Sequence, residues 1–497
     1  MAFFKCYFHT KINNQLTPFR RSDRLSVTWT VSGANFYGPH FDEISTWKEA
    51  ISHFTIRRMS RVSVKEPHLN IKPYCMTTAE KKVASLETLC INTVRVLAAD
   101  AVQAANSGHP GTPMALAPLG HVLWSKIMHY SPQNPQWPGR DRFILSAGHA
   151  CILQYSYLYL TGYDLTLNDL KKFRQLHSKT PGHPEYGLTA GIEATTGPLG
   201  QGFANGVGMG IAQQWLADRF NKPGFDLFNY RIYVICSDGD MMEGISSEAA
   251  SIAGNLQLGY LVYIYDDNRI TIEGNTDITF TEDLAARFVS YGWHVQVLPD
   301  GNDLDAMEEA LEKARQETSK PSLIKLRTHI GYGSPHKVDT AAAHGSPLGA
   351  EEVGLVKQFF GFDPGQSFVI PENVLSFYRN AGKKGIDQEK QWNNLFNKYR
   401  EQYPVEANEY VSAANGKIPA GWKEKLPVFD GNQKMATRKA SGKVLNAIAT
   451  HIPFLMGGSA DLSPSTDTIL DGRMTLPTPR NSVGWCSKLT PRTAPAR

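Results

Sequence analysis

Two short apolar runs in the stretch 230–274 constrain the fold most strongly. Tyr230–Cys236 and Leu261–Tyr265 are rich in β-branched and aromatic residues, which is typical of buried strands. Between them, Glu243–Gln257 has the pattern of a helix and begins with an acidic residue, which the helix dipole favours. A strand, a helix and a second strand in this order predict a βαβ unit with parallel strands.

Oxygen-bearing side chains follow both predicted strands. The first strand ends in SDGD (237–240), which predicts a turn, and the second ends in Asp267 and Asn268. Because ligands bind beyond the carboxyl ends of parallel strands, Asp238 and Asn268 are predicted to lie side by side. A carboxylate, an amide oxygen and a nearby carbonyl suit Mg²⁺ or Ca²⁺, and Gly239 leaves room for a phosphate. Two ordinary turns remain the alternative.

The sequence motifs of this stretch resemble those of a known family. The spacing from Asp-Gly to Asp-Asn is similar to the thiamine diphosphate fingerprint, and MMEGISSEAASIAGNLQLG and YDDNRITIEG resemble transketolases in particular. The resemblance covers about residues 76–471. It implies a doubly wound, parallel-sheet α/β fold that binds thiamine diphosphate, with a diphosphate-binding domain at 76–345 and the start of a second α/β domain.

The resemblance also implies a metal site. Asp238, Asn268 and the Ile270 carbonyl would hold Mg²⁺, for which Ca²⁺ or Mn²⁺ can substitute, and Gly239 would lie at the diphosphate. The sequence departs from the family at Ser237, where transketolases have glycine. We expect the added Cβ to weaken the diphosphate contact without abolishing it.

Four histidines lie in motifs that match the family. His109 in SGHPG and His183 in HSKTPGHPE match substrate-contacting histidines. His149, which follows a predicted strand in FILSAGH, matches a histidine that contacts the diphosphate. His344 in AAHG matches one that bridges diphosphate and substrate. Histidines suit proton transfer to sugar hydroxyls at neutral pH, so the resemblance implies catalytic roles for His109, His183 and His344.

A glycine-rich loop, TTGPLGQG (195–202), opens a predicted helix at Ala204–Ala217. Its three glycines in six residues allow close backbone approach to a ligand and anion binding at a helix N-terminus, although a packing turn is the alternative. The resemblance implies that Gly197, Pro198 and Leu199 line the cofactor.

Alternating helices and strands follow, which predicts a parallel sheet. The predicted elements are a helix at Ala84–Asn106, a helix at Glu282–Tyr291, a strand at Trp293–Leu298, a helix at Asp303–Thr318 and a strand at Ser322–Thr328. Residues 346–432 are predicted to connect two domains, with helical pieces such as Gln388–Tyr399.

Residues 433–472 are predicted to begin a pyrimidine-binding domain that is incomplete. A helix is expected from Ala436 and a strand at Leu455–Gly458. Arg438 and Ser465 match family residues that hold the substrate phosphate, a task that suits a bidentate guanidinium.

The two ends of the chain match nothing in the family. Residues 1–75 are predicted to be an atypical, disordered leader, in preference to an organellar targeting signal, and a cytoplasmic location is therefore expected. Residues 473–497 are predicted to be a divergent, disordered tail.

The net charge of +4 gives no indication of nucleic-acid binding, and no apolar run reaches the roughly 18 residues of a membrane span. Six widely spaced cysteines indicate a reducing compartment.

The resemblance implies transfer of a two-carbon ketol unit between a ketose phosphate and an aldose phosphate, as in the pentose phosphate pathway. Thiamine diphosphate would serve as the electron sink, and the family forms its sites in a homodimer. No segment matches the glutamate that activates the cofactor in the family, so a truncated, non-catalytic remnant is the alternative. A dinucleotide-binding oxidoreductase is disfavoured because no GxGxxG follows a first strand.

Overall fold

The computed structural model describes residues 85–432, 434–459 and 461–471; the predicted leader and tail lie outside them. In these ranges the chain forms five β-strands and fourteen α-helices. The strands are β1 Arg142–Leu145, β2 Ile232–Ser237, β3 Leu261–Asp267, β4 His294–Leu298 and β5 Ser322–Arg327. The helices are α1 Leu86–Ala105, α2 Gly111–Val122, α3 Cys151–Thr161, α4 Leu167–Lys171, α5 Gln201–Phe220, α6 Asp238–Met242, α7 Gly244–Leu256, α8 Leu284–Ser290, α9 Leu304–Gln316, α10 Ala350–Phe359, α11 Glu372–Gln402, α12 Pro404–Ala414, α13 Thr437–Ala449 and α14 Ser463–Thr466.

The strands form one parallel sheet in the order β1-β2-β3-β5-β4. The five strands predicted before residue 346 are present, and the ends that were predicted for them lie within two residues of the observed ones. The predicted βαβ unit is β2, α7 and β3, with Ser237 in register with Asp266. This register places the ends of β2 and β3 side by side, as the sequence predicted.

Both faces of the sheet are covered, so the fold is doubly wound. Tyr233 and Ile235 belong to one hydrophobic cluster with residues of α1, α2, α3 and α9. Ile232 and Val234, which alternate with them, belong to a second cluster with residues of α5 and α7. Continuously apolar strands are expected where a parallel sheet is buried on both faces.

The predicted turn at 237–240 is wrong, because the chain forms α6 directly after β2. The Asp240 carboxylate accepts a hydrogen bond from the Ser237 N–H at 3.0 Å and so caps the first turn of this helix. A side-chain acceptor three residues after the N-cap residue of a helix satisfies a backbone donor that is otherwise unpaired. The carboxylate of Asp238 therefore lies at a helix N-terminus.

The predicted strand at Leu455–Gly458 is also wrong. Residues 455–459 have no regular secondary structure, and the described part of 434–471 contains α13 and α14 but no strand. Phe454 and Met456 instead pack partly buried against a core cluster of the main sheet. An apolar run predicts burial, but a strand also needs a neighbouring strand with which to pair.

The segment 346–432, predicted to connect two domains, consists largely of α10, α11 and α12. Val374 and Tyr378 of α11 are fully buried in the cluster on one face of the sheet, and Tyr399 is fully buried in the cluster on the other. The segment is thus part of the main core. None of the helices in the described ranges is both long enough and apolar enough to cross a bilayer.

Candidate functional site

Three of the predicted histidines lie against one another. The His109 and His149 ring centroids are 5.0 Å apart, those of His149 and His344 are 5.1 Å apart, and those of His109 and His344 are 5.9 Å apart. They come from three separate loops, after α1, β1 and β5. We call these three side chains the histidine cluster.

The hydrogen bonds of the cluster indicate opposite tautomers for two of its members. A guanidinium can only donate, so the contact of 3.4 Å between Arg174 Nη2 and His109 Nδ1 makes that nitrogen an acceptor. His109 then carries its proton on Nε2. The Ile270 carbonyl can only accept, so His344 donates to it from Nδ1 at 3.2 Å and keeps a lone pair on Nε2. His109 and His344 therefore offer a ligand one donor and one acceptor.

The histidines of the site are held neutral at physiological pH. Burial, together with the charge of Arg174 and the neighbouring His344 and His183, lowers the pKa of His109 to about 4. Burial also lowers the pKa values of His149, His183 and His344. Neutral imidazoles can both donate and accept hydrogen bonds, which suits proton transfer with a hydroxyl group.

The predicted metal ligands lie at the adjacent ends of β2 and β3. Asp238 is 3% exposed, and its Oδ1 accepts a hydrogen bond from the Tyr265 hydroxyl at 2.5 Å. The Asn268 side chain donates to Asp266 at 2.7 Å and accepts from the Ile270 N–H at 2.9 Å. The amide is thus held by both of its ends, and Ile270 joins this edge to the histidine cluster.

One oxygen of this edge remains without a protein partner. Asp238 Oδ2 is buried and makes no hydrogen bond to any residue that the structure describes. Burial raises the pKa of Asp238 to about 7. The Tyr265 hydroxyl and the nearby Arg269 N–H favour the charged form and lower the pKa, but burial has the larger effect. A buried carboxylate that lacks a partner is costly unless a cation accompanies it. The donor set therefore fits a divalent cation.

A second buried carboxylate, which the sequence analysis missed, holds the loops of the site together. Asp240 is 0% exposed, and it accepts hydrogen bonds from the Ser146 hydroxyl at 2.7 Å, the Gly200 N–H at 2.8 Å and the Ser237 N–H at 3.0 Å. The Ser146 hydroxyl in turn accepts from the Phe203 N–H at 2.9 Å. We call these groups the Asp240 network. The acidic residue three positions after Ser237 is the capping signal that could have revealed it.

The glycine-rich loop lies against the loop after β1. A Cβ on Gly148 would stand 2.8 Å from the Gly197 nitrogen, which is closer than any side chain tolerates. The Thr196 hydroxyl donates to the Leu145 carbonyl at 2.8 Å and fixes the same approach. The two loops therefore meet backbone to backbone, directly beside His149.

The other predicted cofactor residues line the same region. The His183 ring lies beside Gly197, and the Leu199 side chain lies beside Gly239. His149 Nε2 is buried and has no hydrogen-bond partner in the described part of the chain. This nitrogen and the close-packed glycine loops fit a polar, phosphate-bearing group. Within the described residues, no group of three or more His, Cys, Asp or Glu side chains is arranged to hold a metal ion.

Ser237 is compatible with the local backbone. Its φ of −130° and ψ of −176° are extended values that any residue adopts, so the conformation does not require the glycine that the resemblance implies here. Its N–H donates to Asp240. The serine therefore enters the site without backbone strain.

Arg438 and Ser465 are not part of this arrangement. Both are exposed, on α13 and α14, and neither takes part in the hydrogen bonds or ring contacts of the histidine cluster within the ranges described. Their predicted role in binding a substrate phosphate stays a prediction.

Comparison with known proteins identifies the family. Residues 86–419 match the family model for the transketolase, thiamine diphosphate binding domain. The chain is 52% identical over 394 residues to a transketolase of Nostoc sp. and 48% identical over 389 residues to one of Geobacillus stearothermophilus. Each match covers 78% of this chain and 58% of the relative.

Solved structures give the same result. A complex of Pichia stipitis transketolase with sedoheptulose 7-phosphate matches with a TM-score of 0.76 and 47% identity, over 78% of this chain and 58% of that one. The described fold is therefore that of the thiamine diphosphate-binding domain. The chain spans about 58% of the length of these relatives.

Proposed function

Because the chain belongs to the transketolase family, we propose that it binds thiamine diphosphate with a divalent cation at the carboxyl edge of its sheet, and serves ketol transfer between sugar phosphates. The observation that carries this proposal is Asp238 Oδ2, a buried carboxylate oxygen that has no partner among the described residues and belongs to the same sheet edge as Asn268 and Ile270. When bound, thiamine diphosphate supplies an electron sink for breaking a bond next to a carbonyl group.

The residues of this edge have distinct tasks in the proposal. Asp238, Asn268 and the Ile270 carbonyl hold Mg²⁺, an ion that prefers oxygen ligands and completes its shell with water and phosphate oxygens. Tyr265 binds the other oxygen of Asp238 and fixes the direction of the free one. His149 and the backbone of the loop at Gly197 accommodate the diphosphate.

His109, His183 and His344 face the substrate in this proposal. His109 offers an N–H and His344 a lone pair, so together they can donate a proton to one sugar oxygen and accept one from another. Support for a sugar phosphate substrate comes from the Pichia stipitis complex with sedoheptulose 7-phosphate. Arg438 and Ser465 are proposed to bind its phosphate.

We further propose that the active form is a homodimer. Apolar side chains are exposed around the site, which is unusual for a surface that meets only water. They are Leu199, Met242, Ile245, Ile272 and Ile278. Sedimentation of the purified chain measures the oligomeric state, and a monomer at every concentration would contradict this part of the proposal.

Calorimetry with thiamine diphosphate and Mg²⁺ tests the binding proposal. We expect Asp238→Asn to weaken Mg²⁺-dependent cofactor binding by about tenfold or more, because a charged ligand of the cation is lost. Asp277→Asn is the matched control, since Asp277 is exposed on a neighbouring loop. Equal affinity in both variants would refute the metal site. A coupled assay with ketose and aldose phosphates then measures ketol transfer. Turnover would support an enzyme, and cofactor binding without turnover would support the alternative of a non-catalytic binding protein.

A further inference from the structure

A third buried carboxylate lies at the carboxyl edge of the sheet, and the proposed function gives it no ligand to hold. Asp266 is the next-to-last residue of β3, the central strand of the sheet, and it is 0% exposed. It is in register with Ser237 of β2 and with Leu326 of β5. Its backbone is therefore fixed by a neighbouring strand on either side.

Both oxygens of Asp266 accept hydrogen bonds from the protein. The hydroxyl of Thr328, directly after β5, donates to Oδ1, and the amide nitrogen of Asn268 donates to Oδ2 at 2.7 Å. Thr328 and Asn268 are each only 2% exposed. Asp266 therefore differs from Asp238, which keeps one oxygen without a partner in the described ranges. A carboxylate that its neighbours satisfy in this way is suited to hold one of them in place.

The partners of Asn268 determine which way its amide points. A backbone N–H can only donate, so the atom that contacts the Ile270 N–H at 2.9 Å is the amide oxygen. A carboxylate can only accept, so the atom that contacts Asp266 is the amide nitrogen. Both contacts require the same orientation. If the amide were turned over, each of them would become a repulsive pair.

This orientation also supports the turn that carries the third proposed cation ligand. The bond from the Ile270 N–H to Asn268 closes the turn around Arg269, whose φ of 63° lies in the left-handed region that favours glycine. The Ile270 carbonyl, at the end of the turn, accepts from His344 at 3.2 Å. Loss of the Asn268 orientation would therefore disturb two proposed ligands, the amide oxygen and the Ile270 carbonyl.

We propose that Asp266 is a positioning residue for the cation site. By accepting from the amide nitrogen of Asn268, it keeps the amide oxygen, which is the atom that a divalent cation requires, on the side of Ile270. Thr328 completes the arrangement because it satisfies the other oxygen of Asp266. This role rests on the proposed function, in which Asn268 binds Mg²⁺.

Calorimetry with thiamine diphosphate at a series of Mg²⁺ concentrations tests this role on the purified full chain. Asp266→Ala leaves the Asn268 amide without its acceptor, so we expect the Mg²⁺ concentration for half-maximal cofactor binding to rise about tenfold or more. Asp266→Asn removes the same charge but keeps an oxygen for Asn268, because the Thr328 hydroxyl can accept from the new amide group. We expect this variant to keep most of the affinity that Asp266→Ala loses. Equal losses in the two variants would show that the charge matters and not the orientation, and would overturn the proposal.

Tyr157→Phe is the matched control for a general loss of stability. Tyr157 is 0% exposed, and its hydroxyl donates to the Ala117 carbonyl at 2.6 Å between α3 and α2, so this variant also loses a buried hydrogen bond. It should leave the half-saturating Mg²⁺ concentration unchanged. A rise equal to that of Asp266→Ala would mean that loosening of the fold weakens binding, and would also overturn the proposal.

The side-chain amide signal of Asn268 gives a second measurement, by NMR on the protein without cofactor. With isotopic labelling of asparagine nitrogen, and Asn268→Ala to assign the signal, one amide proton should be shifted downfield by its bond to the carboxylate. This shift should disappear in Asp266→Ala and remain in Tyr157→Phe. An amide proton without this shift in the unchanged chain would contradict the bond on which the role depends.

Failure of this role and failure of the proposed function give different results. If the unchanged chain shows no Mg²⁺-dependent cofactor binding, the proposed function fails and the role of Asp266 fails with it. If the unchanged chain binds the cofactor and Asp266→Ala binds it equally well, the proposed function stands and only the role of Asp266 is refuted.

Discussion

Two carboxylates at the start of α6 are equally buried but have opposite surroundings. Asp240 accepts hydrogen bonds from Ser146, Gly200 and Ser237, which satisfy both of its oxygens. Asp238, two residues earlier, has one oxygen bound by Tyr265 and one without a partner in the described ranges. Burial raises the pKa of both. The difference supports a structural role for Asp240 and our proposal that Asp238 binds a cation.

The comparison extends to the loops around them. The Asp240 network joins the loop after β1, the glycine-rich loop and the start of α6, so it is the frame on which the site depends. Ile270 joins the Asp238 edge to the histidine cluster, because its N–H donates to Asn268 and its carbonyl accepts from His344. Buried polar groups that are fully satisfied rigidify a site, and unsatisfied ones mark where a ligand completes it.

The largest expected effect comes from removing the frame. Asp240→Ala leaves three buried donors, on Ser146, Gly200 and Ser237, without their acceptor, at roughly 1–3 kcal/mol each. We expect the free energy of unfolding of the unliganded protein to fall by about 3 kcal/mol or more, measured by urea denaturation. Asp277→Ala, at an exposed position, should change it by less than about 0.5 kcal/mol. Equal stability of the two variants would contradict the structural role of Asp240.

In the same experiment, Asp238→Asn should not lower the free energy of unfolding and can raise it. The neutral amide keeps an oxygen for the Tyr265 hydroxyl and removes the burial of a charge, so the unliganded protein should be at least as stable as the unchanged chain. If the free energy of unfolding, measured in urea, falls by more than about 1 kcal/mol, then Asp238 stabilises the fold as Asp240 does.

A smaller effect is expected from the pH dependence of the histidine cluster. The pKa of His109 is lowered from 6.5 to about 4, so its contribution to stability is complete above pH 6.5 and is lost as the pH falls through 4. Relative to His109→Asn, the unchanged chain should therefore lose thermal stability between pH 6.5 and pH 4. Leu176→Asn, at an exposed position without a titrating group, is the control and should show no such relative change. A pH-independent difference for His109→Asn would show that His109 titrates normally.

The smallest effect concerns Arg174 and the tautomer of His109. Arg174→Met removes a positive charge and the donor to Nδ1, so the midpoint of the His109 titration, followed by NMR, should rise while the burial effect remains. The ring nitrogen shifts should also lose the preference for the Nε2–H form. Arg400→Met, at an exposed position on α11, is the control. An unchanged tautomer in Arg174→Met would mean that another group fixes His109.

Local sequence was sufficient for the five strands of the sheet and for the edge at which the candidate site lies, but not for α6 or for the segment 455–458. The apolar runs gave five strands to within two residues, because a strand buried on both faces must be continuously apolar. The order of helices and strands then required a parallel sheet, which brings Asp238 and Asn268 to neighbouring strand ends. The family's motifs added the histidines, three of which do meet in space.

Tertiary structure decided what the sequence left open, because satisfaction of a buried polar group depends on residues far away in the chain. Local sequence marks Asp240 as a helix cap three positions after Ser237, but it does not show which of the two carboxylates is fully satisfied. Asp240 also binds Ser146, 94 positions away, whereas Asp238 binds Tyr265, 27 positions away, through only one of its oxygens. The apolar run at Leu455–Gly458 packs without strand pairing because no described strand lies beside it. The tautomers of His109 and His344 likewise follow from partners 65 and 74 positions away, which only folding brings into contact.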